Sequence, residues 1–125
     1  MTTQFDIDTA RVYAQPPDTG RARLLVDRIW PRGISKDDLR YDDWIKDIAP
    51  TTELRKWFGH DQDRWGALRN SDLHELADNT DAAERCLAWC RAGPVTLLFG
   101  AKDREHNQAL VLRDYLNQRF KGETT

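Results

Sequence analysis

The chain alternates between short apolar runs and longer segments with helical periodicity. Apolar residues dominate two short segments, 23–28 and 94–101, and turn residues or charged residues bound them. Such runs are typical of buried strands. Segment 5–13 alternates loosely between apolar and polar residues, which indicates a further extended segment or strand. The run 94–101 has almost no polar alternation, which favours burial on both faces, as in a parallel sheet between helices.

Caps and stops predict four helices in the remaining sequence. They are a helix from Thr51 or Thr52 to Phe58 before Gly59, a helix over 62–77 capped by Asp61, a helix from Thr80 or Asp81 to Gly93, and a helix over about 104–119 capped by Asp103. Asp81 and Glu84 have the spacing of a capping box. Segment 41–48 stays ambiguous, because its apolar residues have helical spacing but the segment is short for a helix.

The order of strand, loop, helices, strand and helix predicts a small α/β domain. We expect a partly parallel sheet flanked by helices in Rossmann-like layers, with the whole chain, 1–125, as one domain. Two helices carry apolar stripes that should face the sheet. The stripes are Ala83, Cys86, Leu87 and Cys90, and Ala109, Leu112, Tyr115 and Leu116.

Composition excludes several classes of protein. With 39% hydrophobic and 10% aromatic residues, the chain is not intrinsically disordered, and its net charge of -2 argues against a wholly basic nucleic-acid binder. We see no signal peptide and no membrane span. Cys86 and Cys90 lie four residues apart without further metal-ligand spacing, so we expect buried thiols and a reducing, cytoplasmic location.

Five tryptophans are conspicuous in so polar a chain. Trp57 and Trp65 lie on apolar helical faces and Trp44 belongs to a short apolar pattern, so we assign these three to packing. Trp89 lies beside its apolar stripe and should be partly exposed. Trp30 lies in a loop rich in proline and arginine, so it is the tryptophan that we expect to contact a ligand.

Two polar segments, 27–33 and 102–107, follow predicted strands. Ligands of open α/β sheets bind outside the carboxyl ends of the strands, and the two segments converge there if their strands are neighbours. Asp27 and His106 are the candidate catalytic residues, because they can orient groups or move protons. Arginine forks and a helix N-terminus near Asp103 suit an anion. The candidate ligand-binding residues are Arg28, Trp30, Arg32, Lys102, Asp103 and Asn107.

We therefore expect a small anionic ligand, and a phosphorylated molecule is one such ligand. Whether the protein catalyses a reaction is left open. The competing interpretation is that Asp27 and an arginine form a salt bridge that holds the loop. Segment 21–36 has five basic residues against one acidic residue, a net +4, which makes nucleic-acid binding a less favoured alternative. Segment 72–84 has five acidic residues and no lysine or arginine, and is interpreted as a solvated face. A protein-interaction module without chemistry is the third hypothesis.

The sequence identifies no cofactor, no metal site and no oligomeric state. It contains no nucleotide-binding fingerprint and no serine in a nucleophile elbow. Covalent catalysis by a hydroxyl group therefore has little support.

Three motifs, DRIWPRG at 27–33, WIKDIAPTTELRKWFGHD at 44–61 and PVTLLFGAKDREHNQALVL at 94–112, resemble those of the DUF488 family. The resemblance is to its short, single-domain branch and covers roughly 23–112. It implies an α/β domain with two signatures, here Asp27, Arg28, Trp30, Pro31 and Arg32, and Ala101, Lys102, Asp103, His106 and Asn107. It implies no activity, since the family is named as uncharacterised. Longer relatives tend to carry cysteines near the second signature, where this chain has Phe99 and Asn107, so cysteine chemistry is not implied here.

Overall fold

Four parallel strands form one sheet in the computed structural model, which describes residues 5–14, 20–59, 61–101 and 107–124. The strands lie in the order β1–β4–β2–β3, and each described pairing is parallel. Their bounds are β1 (Ile7–Arg11), β2 (Ala22–Leu25), β3 (Asp43–Trp44) and β4 (Val95–Phe99). The predicted α/β class is confirmed, with a described sheet that is parallel throughout.

Strand β4 lies at the centre of the sheet, and all five of its residues are buried. Leu97 pairs with Thr9 of β1 on one side and with Leu24 of β2 on the other. Because neighbouring strands occupy both edges and apolar layers cover both faces, β4 has no solvent-facing side. This position explains why the run at 94–101 lacks polar alternation.

Four α-helices within the described ranges accompany the sheet: α1 (Thr52–Phe58), α2 (Trp65–Asp78), α3 (Thr80–Ala92) and α4 (Gln108–Thr124). The hydroxyl of Thr51 accepts a hydrogen bond from the Leu54 N–H at 3.4 Å, and Gly59 ends α1 with φ +53°. The predicted cap and stop of α1 are therefore confirmed.

The ambiguous segment 41–48 contains β3 and a short 3-10 turn, Lys46–Ile48. Within the described ranges, no helix is both long and apolar enough to cross a membrane.

The predicted start of α3 is confirmed, and α4 begins later than predicted. Helix α4 begins at Gln108, and the Asn107 side-chain oxygen accepts a hydrogen bond from the Leu110 N–H at 3.2 Å. Asparagine caps a helix as well as aspartate does, and the predicted cap, Asp103, lies outside the described residues. Helix α3 begins one residue after Asn79, whose N–H closes α2. Because Asn79 is the residue before the first helical residue, Thr80, Asp81 lies inside the first turn and not at the cap. The capping box expected at Asp81 is therefore not formed.

Two apolar clusters cover opposite faces of the sheet. Leu24 and Leu97 belong to the first, which lies against the helices and which we call the helical cluster. Leu25 and Leu98 belong to the second, which we call the loop cluster. The loop cluster consists of Val12, Leu25, Leu39 and Leu98, with Ala10, Trp30, Ile34, Tyr41 and Trp44 packed against it. Both predicted helical stripes are buried in the helical cluster. The segment after β2 therefore covers the second face in place of a helix.

One of the tryptophans, Trp57, is more exposed than predicted. Trp57 is 45% exposed, so the prediction that it packs in the core is wrong. Helix α1 has only seven residues, and the guanidinium of Arg64 lies 5.2 Å from the centre of the Trp57 ring. Trp65 and Trp89 pack against the helical cluster while remaining partly exposed, as expected for Trp89.

Asp72 is a second departure, because it lies in the acidic segment that was interpreted as a solvated face. It is only 2% exposed, and its Oδ1 atom has no hydrogen-bond partner within the described part of the chain. Burial, together with the negative charge of Glu75, raises the pKa of Asp72 to about 7. A carboxyl group in these surroundings is stable in its neutral form and unfavourable in its charged form.

This burial predicts that stability falls as the pH rises. The folded pKa of Asp72, about 7, is above the unfolded value, so the stabilising contribution is complete below about pH 4 and is lost as the pH rises towards 7. Asp72→Asn should raise the free energy of unfolding at pH 8 by on the order of 3 kcal/mol and change it little at pH 4. Urea denaturation at both pH values measures the difference from wild type. Asp78→Asn, an exposed change on the same helix, is the control, and an equal effect of both variants at pH 8 would contradict the prediction.

Candidate functional site

The sequence analysis expected the polar segments 27–33 and 102–107 to converge if their strands are neighbours. The carboxyl ends of β2 and β4 do lie side by side. Leu25 pairs with Leu98, and the Val26 N–H donates to the Leu98 carbonyl at 3.1 Å. After β2 the chain enters the loop cluster, whereas the helix that follows β4 packs in the helical cluster. Connections that leave neighbouring strands towards opposite faces create the crevice in which open α/β sheets bind ligands.

Asp27 occupies this crevice with its own carboxylate. Its Oδ2 accepts a hydrogen bond from the Gly100 N–H at 2.8 Å, and its Oδ1 accepts one from the Gln108 side-chain amide at 2.6 Å. Its backbone carbonyl accepts a third bond from the indole N–H of Trp44 at 2.7 Å. Asp27 thus connects the ends of β2 and β4 to the first turn of α4 and to β3.

Glycine at position 100 is required for this approach. A Cβ atom there would lie 2.8 Å from the Oδ2 of Asp27 and 3.6 Å from the Cβ of Pro31, and the first distance is too short for non-bonded atoms. The sequence analysis missed both Gly100 and Gln108. The available signal was a glycine directly after a buried strand, which often marks the close approach of another group.

Arg28 faces a different part of the chain. Its Nε donates to the Pro50 carbonyl at 3.0 Å, and its Nη2 donates to the Ala49 carbonyl at 2.9 Å. These bonds hold the segment that leads into α1. Arg28 therefore has a structural role through backbone carbonyls. The salt bridge between Asp27 and an arginine, and the contact of Arg28 with a ligand, stay hypotheses.

Trp30 packs inside the loop rather than facing open solvent. Its indole N–H donates to the Ile34 carbonyl at 2.6 Å. Its ring makes edge-to-face contacts with Tyr41 and Trp44, at centroid distances of 5.6 and 5.4 Å. Such aromatic pairs stabilise a loop beyond the area they bury. Contact between Trp30 and a ligand stays a prediction.

Arg32 is exposed, and a short chain of contacts joins its loop to β1. The Tyr13 hydroxyl donates to the Arg32 carbonyl at 2.7 Å. The guanidinium of Arg11 lies 5.0 Å from the centre of the Tyr13 ring, and its Nε donates to the Ala101 carbonyl at 2.9 Å. Arg11 and Arg32 therefore flank the same end of the sheet. Sequence reasoning missed Arg11, because its segment was assigned only as a strand.

The remaining candidates lie at the start of the last helix. Lys102, Asp103 and His106 fall outside the described residues, so their expected roles stay predictions. Asn107 is buried, and its side-chain oxygen caps α4. That bond gives Asn107 a structural task in addition to any contact with a ligand.

The two thiols lie away from this edge, on α3. Burial, as the largest cause, raises the pKa of Cys86 to about 12 and that of Cys90 to about 11. Both therefore stay protonated at neutral pH and are poor nucleophiles, and the prediction of buried thiols is confirmed. Among the described residues, no three histidine, cysteine, aspartate or glutamate side chains are grouped to hold a metal ion.

The fold and this edge define a small parallel α/β domain in which the Asp27 carboxylate accepts hydrogen bonds from Gly100 and Gln108. Residues 6–125 match the model of the DUF488-N3i family, which is described as the inactive DUF488-N3 subclade, and the chain belongs to this family. The family resemblance of the three sequence motifs is thereby confirmed.

Relatives from two bacterial genera match over nearly their full length. The chain is 42% identical over 112 residues to the uncharacterized protein YeaO of Escherichia coli (strain K12), covering 90% of this chain and 97% of that protein. It is 39% identical over 120 residues to the uncharacterized proteins Mb3100c of Mycobacterium bovis and Rv3073c of Mycobacterium tuberculosis, covering 95% of this chain and all of each relative. No solved structure matches the chain.

Gly100→Ala tests the contact that closes the crevice. The added methyl group must displace the Asp27 carboxylate, so we expect a loss of about 1–3 kcal/mol in the free energy of unfolding, measured by denaturant titration. In an Asp27→Ala background the same substitution should cost much less, because the clashing oxygen is gone. Gly66→Ala is the matched control: nothing lies within 4 Å of its added Cβ, and alanine favours the helix. Equal costs of Gly100→Ala in both backgrounds would refute the contact.

Proposed function

We propose that this protein binds a small anionic molecule at the carboxyl edge of β2 and β4 and holds it without chemical turnover. The observation that carries the proposal is the arrangement of these two strands, which are neighbours whose connections leave towards opposite faces. In open α/β sheets this arrangement places the ligand.

The charges beside the crevice support an anion as the ligand. Arg11 and Arg32 belong to one chain of contacts through Tyr13, and both are at least partly accessible. Two arginines and the Asp27 carboxylate give this edge a net positive charge among the residues named, and guanidinium forks match carboxylate and phosphate oxygens. In this proposal the anion lies at the rim, because Asp27 occupies the Gly100 N–H.

Three observations support binding without turnover. Both carboxylate oxygens of Asp27 already accept hydrogen bonds from the protein, so we assign Asp27 a positioning role. Cys86 and Cys90 are buried and protonated. The matching family is described as an inactive subclade. Proton transfer by His106 stays a prediction, since His106 lies outside the described residues.

The basic segment 21–36 gives less support to an extended nucleic-acid interface. Arg21 makes ion pairs with Asp6 at 3.0 Å and Asp8 at 3.6 Å. Arg28 is bound to backbone carbonyls. Two of the five basic side chains of segment 21–36 therefore bind other groups of the protein. This reduces the basic surface that could contact the phosphates of a nucleic acid.

Arg32→Ala is expected to weaken the binding of inorganic phosphate about tenfold and to leave the free energy of unfolding within about 0.5 kcal/mol of wild type. Phosphate titrations followed by amide chemical shifts measure the affinity and show which residues respond, with Gly100 and Arg32 expected among them. Arg69→Ala is the control, because it removes an equal charge from α2. Unchanged affinity in the Arg32 variant, or shifts confined to another surface, would overturn the proposal.

A further inference from the structure

We propose that the outer edge of β1 is a dimer interface, at which β1 pairs antiparallel with β1 of a second copy of this chain around a two-fold axis at Thr9. Strand β1 lies at one edge of the sheet and, among the described strands, pairs only with β4. An unpaired edge presents backbone N–H and C=O groups that a further strand can bind. The inference concerns this edge and does not depend on the proposed anion site.

The backbone groups of β1 alternate between its two sides. The Asp6 carbonyl accepts a hydrogen bond from the Val95 N–H at 3.0 Å, so Asp6 and every second residue after it face β4. Ile7, Thr9 and Arg11 therefore direct their backbone groups outward. Within the described part of the chain, no hydrogen bond reaches the N–H of these three residues or the carbonyls of Ile7 and Thr9.

The outward groups of β1 are complementary to themselves. In an antiparallel pair centred on Thr9, the Thr9 residues of two copies exchange two hydrogen bonds, and the Arg11 N–H of each copy donates to the Ile7 carbonyl of the other. The Arg11 carbonyl needs no such partner, because it precedes the 3-10 segment Val12–Ala14 and accepts the first bond of that turn. The same patch on both copies forms a closed contact, which limits association to a dimer.

Strand β1 has few of the features that protect the edges of sheets. It contains no proline, and its register with β4 runs without interruption from Ile7 to Arg11, so it contains no bulge. The exposed Asp8 carboxylate pairs with Arg21 at 3.6 Å, which partly compensates its charge. Thr9 is half-buried and β-branched, and two threonines that face each other across strands form a favourable pair.

The distribution of charge along the edge favours a second copy in the antiparallel orientation. The amino end carries Asp6 and Asp8, whose side chains are 60% and 69% exposed. Arg21 pairs with both, so two negative charges and one positive charge give -1 at this end. Arg11 and Arg32 lie at the carboxyl end. Antiparallel pairing brings the acidic end of each copy towards the basic end of the other, whereas parallel pairing would bring like charges together.

Sedimentation velocity of the full chain tests the inference. A single pair of short strands is a small interface, so we expect a weak dimer, with a change from monomer to dimer between about 5 and 500 µM protein. Thr9→Pro removes the N–H at the two-fold axis, which β4 does not use. Proline is tolerated at such an edge position, so the chain should stay folded and the Kd of the dimer should rise at least tenfold. Thr80→Pro is the matched control, because Thr80 is exposed and is the first residue of α3, where proline is also tolerated.

A pair of charge variants tests the two-fold register without proline. A residue on the axis faces its own counterpart, so Thr9→Lys alone and Thr9→Glu alone should each weaken the dimer at least tenfold by repulsion between like charges. An equimolar mixture of the two variants should associate again, because opposite charges then face each other. A monomer at every concentration, an unchanged Kd in Thr9→Pro, or a mixture that associates no more than the separate variants overturns the inference.

Discussion

The carboxylate of Asp27 is the contact on which the carboxyl edge of the sheet depends. It takes one hydrogen bond from the backbone at the end of β4 and one from the first residue of α4. A carboxylate drawn partly out of water needs such donors, because losing hydration without replacing it costs several kilocalories per mole. Gly100 makes the contact possible by leaving out a Cβ. The position of α4 on the sheet is therefore coupled to the residue that ends β2.

The segment after β2 acts as a structural layer rather than as a connection. Trp30 packs edge-to-face against Tyr41 and Trp44, and Arg28 binds the carbonyls ahead of α1. These contacts cover the face of the sheet that no described helix covers. The Asp-Arg-x-Trp-Pro-Arg signature thus has a physical explanation that needs no reaction: most of its polar atoms hold a loop in the place of a helix.

The sequence predicted the buried elements well and the surfaces less well. The stripes of α3 and α4 and the central strand were predictable, because burial imposes a period on apolar residues. Trp57 was not, since helical spacing shows that residues share a face but not that another element covers it. The burial of Asp72 was not predicted either. A run of acidic residues suggests solvent exposure, but Asp72 lies on the buried side of α2. A surface groove lined by residues of segments 20–23 and 36–42 and by Trp89 was also not predictable, because no pattern along the chain relates these segments.

An anion at the carboxyl edge of β2 depends on side chains at the rim, because Asp27 takes up the Gly100 N–H. Water screens each contact of an exposed side chain, so a single ion pair of this kind contributes only about 0–1 kcal/mol. Affinity at this edge therefore requires several side chains that act together, and Arg11 and Arg32 are the candidates among the described residues.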